Sequence, residues 1–417
     1  MIETDTKDTT LQGTAPGNRP LPDGWHWVRL GHVCTINPPR PRLERDDDAP
    51  TTFVPMPAVA EAGRGIVAPE KRPFASIRKG YTFFVEGDVL FAKISPCMQN
   101  GKHAVARNLL DGIGFGSTEF HVLRACSEVL PEWIHQFIIQ PWVLDGAVAH
   151  FSGAVGQQRV PELYLANLML PLPPLAEQQR IAAILTEQMA VVERARSAAK
   201  AQLEAARELP AAYLRTIFEG AEARQWPEKR LGDVLQLRKN VVHPKDNPRG
   251  AATFVGLEHV ASLTGLRTGA VDVEMSQLTG RKPKFYKGDI VYGYLRPYLN
   301  KVWVAEFDGL CSVDQYVYRV PPDKADTEFV AWFMRSDAYL TRAPIDTTPG
   351  QLPRIRTEEV ASVPINLPPL DEQRRVVAMI AERMAAVEQM STNLDAQLKT
   401  VNGLPAALLQ KAFSGQL

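Results

Sequence analysis

The sequence predicts a mixed α/β (α+β) protein with an internal pseudo-twofold repeat, in which two globular domains are each followed by a long coiled-coil helix. Three observations predict it. A proline-rich phrase is written twice, as PLPPLAEQQRIAAIL from Pro171 and PINLPPLDEQRRVVAMI from Pro364, with Pro174 and Pro369 in register 195 residues apart. Each phrase opens a stretch whose apolar residues fall on a heptad. Upstream of each lie short β-branched and aromatic runs, punctuated by Gly-Asp and Pro, with apolar stretches at helical spacing between them.

Residues 1–20, MIETDTKDTTLQGTAPGNRP, are polar and unlike a signal segment, so a flexible tail is expected there. The first globular domain is expected over 21–174. Its WVRLGHV at Trp27, FVPM at Phe53 and EGDVLFAKISP at Glu86 are echoed by KRLGDV at Lys229, FVGL at Phe254 and KGDIVYGYLRP at Lys287. These echoes need an offset of 201 rather than 195, a loop difference of six residues, and they define a second globular domain over 221–369. In both, TFFVEGDVLFAKI and KFYKGDIVYGYL read as strands, and PEWIHQFIIQPWVLDGAV and TEFVAWFMRSDAYLTR as helices.

Long helices are expected over 175–220 and 370–417. In the first, Ala182, Leu185, Met189, Val192, Arg196, Ala199, Leu203 and Ala206 alternate steps of three and four; in the second, Val377, Ile380, Met384, Val387, Ser391, Leu394, Leu398 and Val401 do the same. The polar members Arg196 and Ser391 occupy one seam step and could fix register. Prolines before each seam mark a helix start, and Glu177 and Glu372 fall in the first turn, where a carboxylate favours the helix dipole. Pro210 and Pro405 should stop or kink the helices. Capping and packing account for Glu177, Gln178, Glu372 and Gln373; docking of a partner is the other reading.

A chain of 417 residues, 45% hydrophobic, can bury sizeable cores, and Lys plus Arg balance Asp plus Glu at 47 each, so no global field marks a polyanionic partner. The balance is uneven along the chain. Residues 229–356 hold 19 basic against 14 acidic side chains, whereas residues 25–162 hold 14 of each. The cysteines Cys34, Cys97, Cys126 and Cys311 form no CxxC pair, which argues for a reducing compartment and against structural zinc. No apolar run is long enough for a membrane helix, and a cytoplasmic protein is expected.

Enzyme signatures fail one by one. INPPR at Ile36–Arg40 resembles the Asn-Pro-Pro-aromatic motif of amino-group DNA methyltransferases, but Arg40 stands where the base-stacking ring should be, so a proline-rich turn is the better reading. Neither GxxxxGK[ST], HExxH nor GxSxG occurs. Glu86, Asp88 and Lys93 could mimic a nuclease site, yet Lys287 replaces the glutamate in the second copy, which favours a shared strand-entry turn. A lone His135 on an apolar helical face reads as core.

Polar and aromatic loops recur at matching places instead. KISPCMQNGKHAVA carries Lys93, Asn100 and Lys102; YLRPYLNKVWVA carries Tyr294, Arg296, Tyr298, Asn300 and Lys301. Before each helix phrase, FSGAVGQQRV carries Gln157, Gln158 and Arg159, and TTPGQLPRI carries Gln351 and Arg354. Arg, Lys, Asn and Gln read base edges or hold phosphates. An exposed hairpin turn explains each loop as well.

A globular domain, G-Q-x-R-[IV] or a close relative, then L-P-x-P-P-L-x-E-Q and a heptad helix, all repeated once, closely resembles the specificity subunit of type I restriction-modification systems, from Trp25 to Leu417. The resemblance implies two target-recognition domains, each reading half of a split double-stranded DNA sequence, and two helices that pair antiparallel as a spacer. It implies no catalysis and no metal or cofactor in this chain. Two methyltransferase subunits and two restriction subunits would bring S-adenosylmethionine, ATP and Mg. The loop residues become DNA contacts, and Glu177, Gln178, Arg180, Glu372, Gln373 and Arg375 a helix-start docking surface. From Ala176 to Leu209 the helix spans 34 residues, or ~50 Å, against half-sites ~34–36 Å apart. The rival readings are a DNA methyltransferase or nuclease acting alone, and a coiled-coil scaffold that binds no DNA.

Overall fold

The computed structural model describes residues 20–154, 157–246, 248–346 and 352–417. The expected tail, apart from Pro20, lies outside them, as does Gln351. The chain divides into two compact units, Met1–Ala198 with Leu398–Leu417, and Ala199–Gln397. This division falls inside both long helices, so each unit holds one globular part and a portion of each helix.

In the first unit, Cys34–Ile36, Phe120–Ala125, Val89–Ala92 and His103–Val105 form an antiparallel sheet in that order. Glu70–Pro73, Pro50–Val54, Ile113–Gly116 and Thr82–Val85 form another, with one parallel pair that sets Phe53 opposite Phe115. The run TFFVEGDVLFAKI therefore supplies strands to two different sheets, parted by its Glu-Gly-Asp turn. All four residues of Val89–Ala92 are buried, as a continuous apolar run requires. Gly114 lets two strands close up, since a Cβ there would lie 2.4 Å from the Phe84 ring.

The second unit repeats this plan. Gln236–Leu237, Gln315–Arg319, Ile290–Gly293 and Val302–Val304 form the antiparallel sheet. The other sheet gains an edge strand: its order is Val241–Val242, Lys282–Phe285, Gly309–Cys311, Ala251–Val255, Val271–Glu274. Gly309 repeats the role of Gly114, with its Cβ position 2.6 Å from Phe285.

The helices run Leu175–Glu219 and Leu370–Ala412. In the first, Ala182, Leu185, Val192, Ala199, Leu203 and Ala206 are buried and Met189 and Arg196 half-buried, the expected heptad. Within the first unit Ile181 and Leu185 share a core with Leu409, Ala412 and Phe413. Within the second, Leu214, Ile217 and Phe218 share one with Val376 and Ile380, and Arg207 pairs with Asp395 at 3.6 Å. In the second unit rising numbers on one helix thus meet falling numbers on the other, so the two helices pack antiparallel there. The aromatic supports match too: Trp133 meets Phe413 at 4.3 Å and Trp25 at 5.7 Å, and Phe329 meets Phe218 at 5.5 Å and Trp226 at 5.9 Å.

Of the two outcomes expected, a stop or a kink, the stop does not occur: Pro210 and Pro405 both lie inside the helices. A proline here forfeits one backbone hydrogen bond and costs ~3 kcal/mol. Just beyond Pro210, Leu214, Ile217 and Phe218 are buried, and just beyond Pro405, Leu409, Ala412 and Phe413. Burying such large side chains contributes ~1.5–3 kcal/mol each, which carries the helix past the proline.

Candidate nucleic-acid interface

In each unit the two polar loops are sewn together by backbone. Arg159 bridges Ser152 on one side and Ile94 on the other. Ser95 N donates to Gln158 O at 3.0 Å and Val160 N to Lys93 O at 2.9 Å. The second unit repeats the stitches: Arg354 bridges Asp346 and Leu295, Arg296 N donates to Pro353 O at 2.7 Å, and Ile355 N to Tyr294 O at 3.2 Å. Even the lead-in matches, with Lys93 N on Glu119 O at 2.8 Å and Tyr294 N on Asp314 O at 3.1 Å. Two loops distant in sequence thus form one surface, twice.

Side chains lock the first surface. The Arg159 guanidinium clasps Glu119 through two bonds, 2.8 and 2.7 Å, and reaches Gln157 O at 3.0 Å. The hydrogen bonds from Arg159 hold the Glu119 carboxyl below its usual range. Beneath lies Asn37 of the INPPR turn, in the left-handed conformation at φ 49°. Its amide donates to Glu162 at 2.7 Å and meets His121 Nδ1 at 3.0 Å, while its oxygen accepts from Val122 N at 3.1 Å. His121 Nε2 faces the Val160 carbonyl at 2.8 Å, so it carries the proton and Nδ1 accepts. Burial lowers the His121 pKa. Asn37 is therefore a support for the loop junction, in keeping with the turn reading of INPPR. The Glu-Gly-Asp turn is structural as well: Asp88 is buried and clasped by Arg124 at 2.8 and 2.7 Å, and Asp289 by Arg238 at 2.9 Å.

The remaining loop residues separate into exposed and committed groups. Asn100 is exposed and bonds Glu61 at 3.0 Å; Gln157 is exposed, and Lys93 and Gln158 are half-buried. In the second unit Arg296 and Arg354 are exposed, Tyr298 is 53% exposed, and Tyr294 stacks on Tyr316 at 4.3 Å. Three expected contacts are corrected. Lys102 donates to Val59 O at 3.1 Å and Lys301 to Leu257 O at 2.5 Å, so both ammonium groups pin the equivalent short turns Met56–Ala58 and Leu257–His259 of their own unit. Asn300 is fully buried at φ 45°, the counterpart of Gly101 at φ 67°, and holds a left-handed turn rather than reaching outward.

At the helix starts, Gln178 and Gln373 are buried and spent internally. Gln178 accepts from Leu130 N at 2.9 Å and donates to Glu128 O and Pro173 O; Gln373 accepts from Asp326 N at 2.8 Å and donates to Pro368 O at 2.7 Å. Leu130 and Asp326 are the N-caps of equivalent helices, so each glutamine ties a long helix to its globular part. These two residues follow the packing reading, not the docking one. Glu177 and Glu372 are ion-paired to Arg180 and Arg375, which are exposed; Arg180 also donates to Leu417 O at 2.6 Å and Arg375 lies 3.5 Å from Glu222.

Residues 22–205 match the family model described as the type I restriction modification DNA specificity domain. Over that stretch the chain is similar to type I restriction-modification DNA specificity domains. It is 34% identical over 210 residues to the type I restriction enzyme EcoEI specificity subunit of Escherichia coli, covering 50% of this chain and 35% of that protein. The EcoDI specificity subunit of the same species is 31% identical over 192 residues, 46% of this chain and 42% of that one. The matched stretch thus spans about a third of the first of these relatives. Two solved structures share the fold over nearly the whole chain. One, from work on complex assembly and conformational transition of the type I R-M system, has a TM-score of 0.76 at 24% identity, covering 96% of this chain and 100% of the other. The other, the HsdS subunit from Thermoanaerobacter tengcongensis, has a TM-score of 0.63 at 23% identity, covering 97% and 100%.

Sequence reasoning missed the stitching of the two loops of each unit and the clasp of Arg159 by Glu119. A signal was present. Acids at 119 and 314 and arginines at 159 and 354 recur at one offset of 195, a paired repetition inside a single chain.

Proposed function

We propose that the protein is a non-catalytic DNA-recognition subunit, in which each unit reads one half of a bipartite double-stranded target. The two stitched loops of a unit form its reading surface. The long helices set the unread gap and dock two methyltransferase subunits through equivalent surfaces, Glu177, Arg180, Glu372 and Arg375 among them. In this reading S-adenosylmethionine, ATP and Mg come with the methyltransferase subunits and with two restriction subunits, and the complex works in the cytoplasm. Among the described residues no helix is long and apolar enough to cross a membrane.

The observation that carries the reading is the repetition of one stitched loop pair in two units whose side chains differ. A repeated backbone frame with divergent exposed residues, Asn100 and Gln157 in one and Arg296, Tyr298 and Arg354 in the other, suits two surfaces that read different bases. The full chain, co-expressed with its methyltransferase partner and used to select from random duplex DNA, should return a motif in two parts with a fixed gap. The chain alone should neither methylate with S-adenosylmethionine nor cleave with ATP and Mg. Turnover by the chain alone would return it to a self-sufficient methyltransferase or nuclease, and failure to capture duplex DNA would favour the scaffold.

A further inference from the structure

The excess positive charge of the second unit is not spread over it. Segments 238–246 and 281–287 carry seven Lys and Arg against one Asp, a net of +6. At the repeat offset of 201 their counterparts, 37–45 and 80–86, carry three Arg against two Glu, a net of +1. That difference of five equals the whole difference between +5 over 229–356 and zero over 25–162. Register brings the two segments together: Val241 pairs with Pro283 and Val242 with Lys282, forming the edge that the first unit lacks.

Arg238 is taken up by Asp289 and Lys282 by the Thr279 carbonyl. Lys239, Lys245 and Arg281 are exposed and Lys284 half-buried, and none of these four forms an ion pair among the described residues. The opposite edge of the same sheet, Val271–Glu274, carries Asp272 and Glu274. The basic edge adjoins the reading surface: the strand Lys282–Phe285 lies against Gln315–Arg319, whose Tyr316 stacks on Tyr294 at 4.3 Å.

Resting on the DNA-recognition reading, we propose that the edge formed by 238–246 and 281–287 is a sequence-independent phosphate-contact strip, which extends the second unit's interface beyond its loops and has no counterpart in the first. Basic side chains on an edge strand also discourage edge-to-edge aggregation, so the test must separate the two roles. Lys239→Gln, Lys245→Gln, Arg281→Gln and Lys284→Gln are made singly and together in the full chain. Binding to random-sequence duplex DNA is measured across a salt series, with melting temperature and light scattering as controls. Each cation on a phosphate contributes ~0.9 to the slope of log affinity against log salt, so the quadruple variant should lose about two to four units of slope. Its base preference in competition should be unchanged. An unchanged slope overturns the strip, and if the quadruple variant also aggregates it assigns the four basic side chains to edge protection. A wild-type chain that captures no duplex DNA removes the DNA reading itself; one that selects a split motif while the variant keeps its slope removes only the strip.

Discussion

Replacing Gln178 with alanine should destabilise the first unit by ~1–3 kcal/mol, because it strands the Leu130 N–H and the Glu128 and Pro173 carbonyls in a buried place. Urea denaturation checks this, with the exposed neighbour Gln179→Ala as the control expected to change little; an unperturbed Gln178→Ala would mean the amide is dispensable. The sequence located this residue by its repetition at 373 but could not separate packing from docking. A glutamine in a first turn serves either role, and only burial decides. Lys301 and Asn300 teach the same lesson in reverse: their polarity suggested outward contacts, while the fold uses one as a tether and the other as a left-handed turn. Histidine adds a pH dependence. His103 is fully buried, stacks on Phe91 at 4.3 Å and accepts from Ala92 N through Nδ1, and burial pushes its pKa from 6.5 down to about 3. Below 6.5 the unfolded chain takes a proton that the folded one refuses, so this contribution is complete above 6.5 and is lost as pH falls toward 3. His121 and His135 act in the same direction. Urea midpoints should fall between pH 6.5 and 4, and less steeply for His103→Asn, whose amide oxygen can replace Nδ1; a flat profile in the wild type would contradict this.

Among the elements, the long helices were the most legible, since a heptad maintained twice leaves few other structures and, in the first helix, the buried positions follow it. The sequence left open whether Pro210 and Pro405 stop or kink the helices, because proline's local cost is visible in sequence while the packing that carries the helix past it is not. The strands were placed by their β-branched runs, but their partners were not: TFFV and VLFA are neighbours in sequence and lie in different sheets. The stitched loops are joined by main-chain bonds, so their one trace in the sequence is the paired recurrence of an acid at 119 and 314 with an arginine at 159 and 354. If the helices set the unread gap, inserting four residues after Val192 lengthens one by ~6 Å. The selected DNA motif should then change its gap and keep both halves; altered bases within either half would oppose the spacer role.

At the scale of the molecule, duplication leaves the frame fixed and the side chains free. The carbonyl of His103 accepts from His135 in the first unit at 3.2 Å, and that of Val302, the equivalent strand position, from Arg335 in the second at 3.1 Å. Burial lowers the Arg335 pKa to about 10 even beside Glu328, so the second unit bears a buried charge where the first has a neutral ring. Such divergence within one frame is what two independent reading surfaces require. The claim of one reading surface per unit is tested most directly by selecting duplex DNA with the wild-type chain and with Arg296→Ala, each assembled with the methyltransferase partner. The account predicts a bipartite motif in which the variant loses ~1–3 kcal/mol of preference at one position of one half and leaves the other half untouched. A single contiguous motif, or a change spread over both halves, would contradict it.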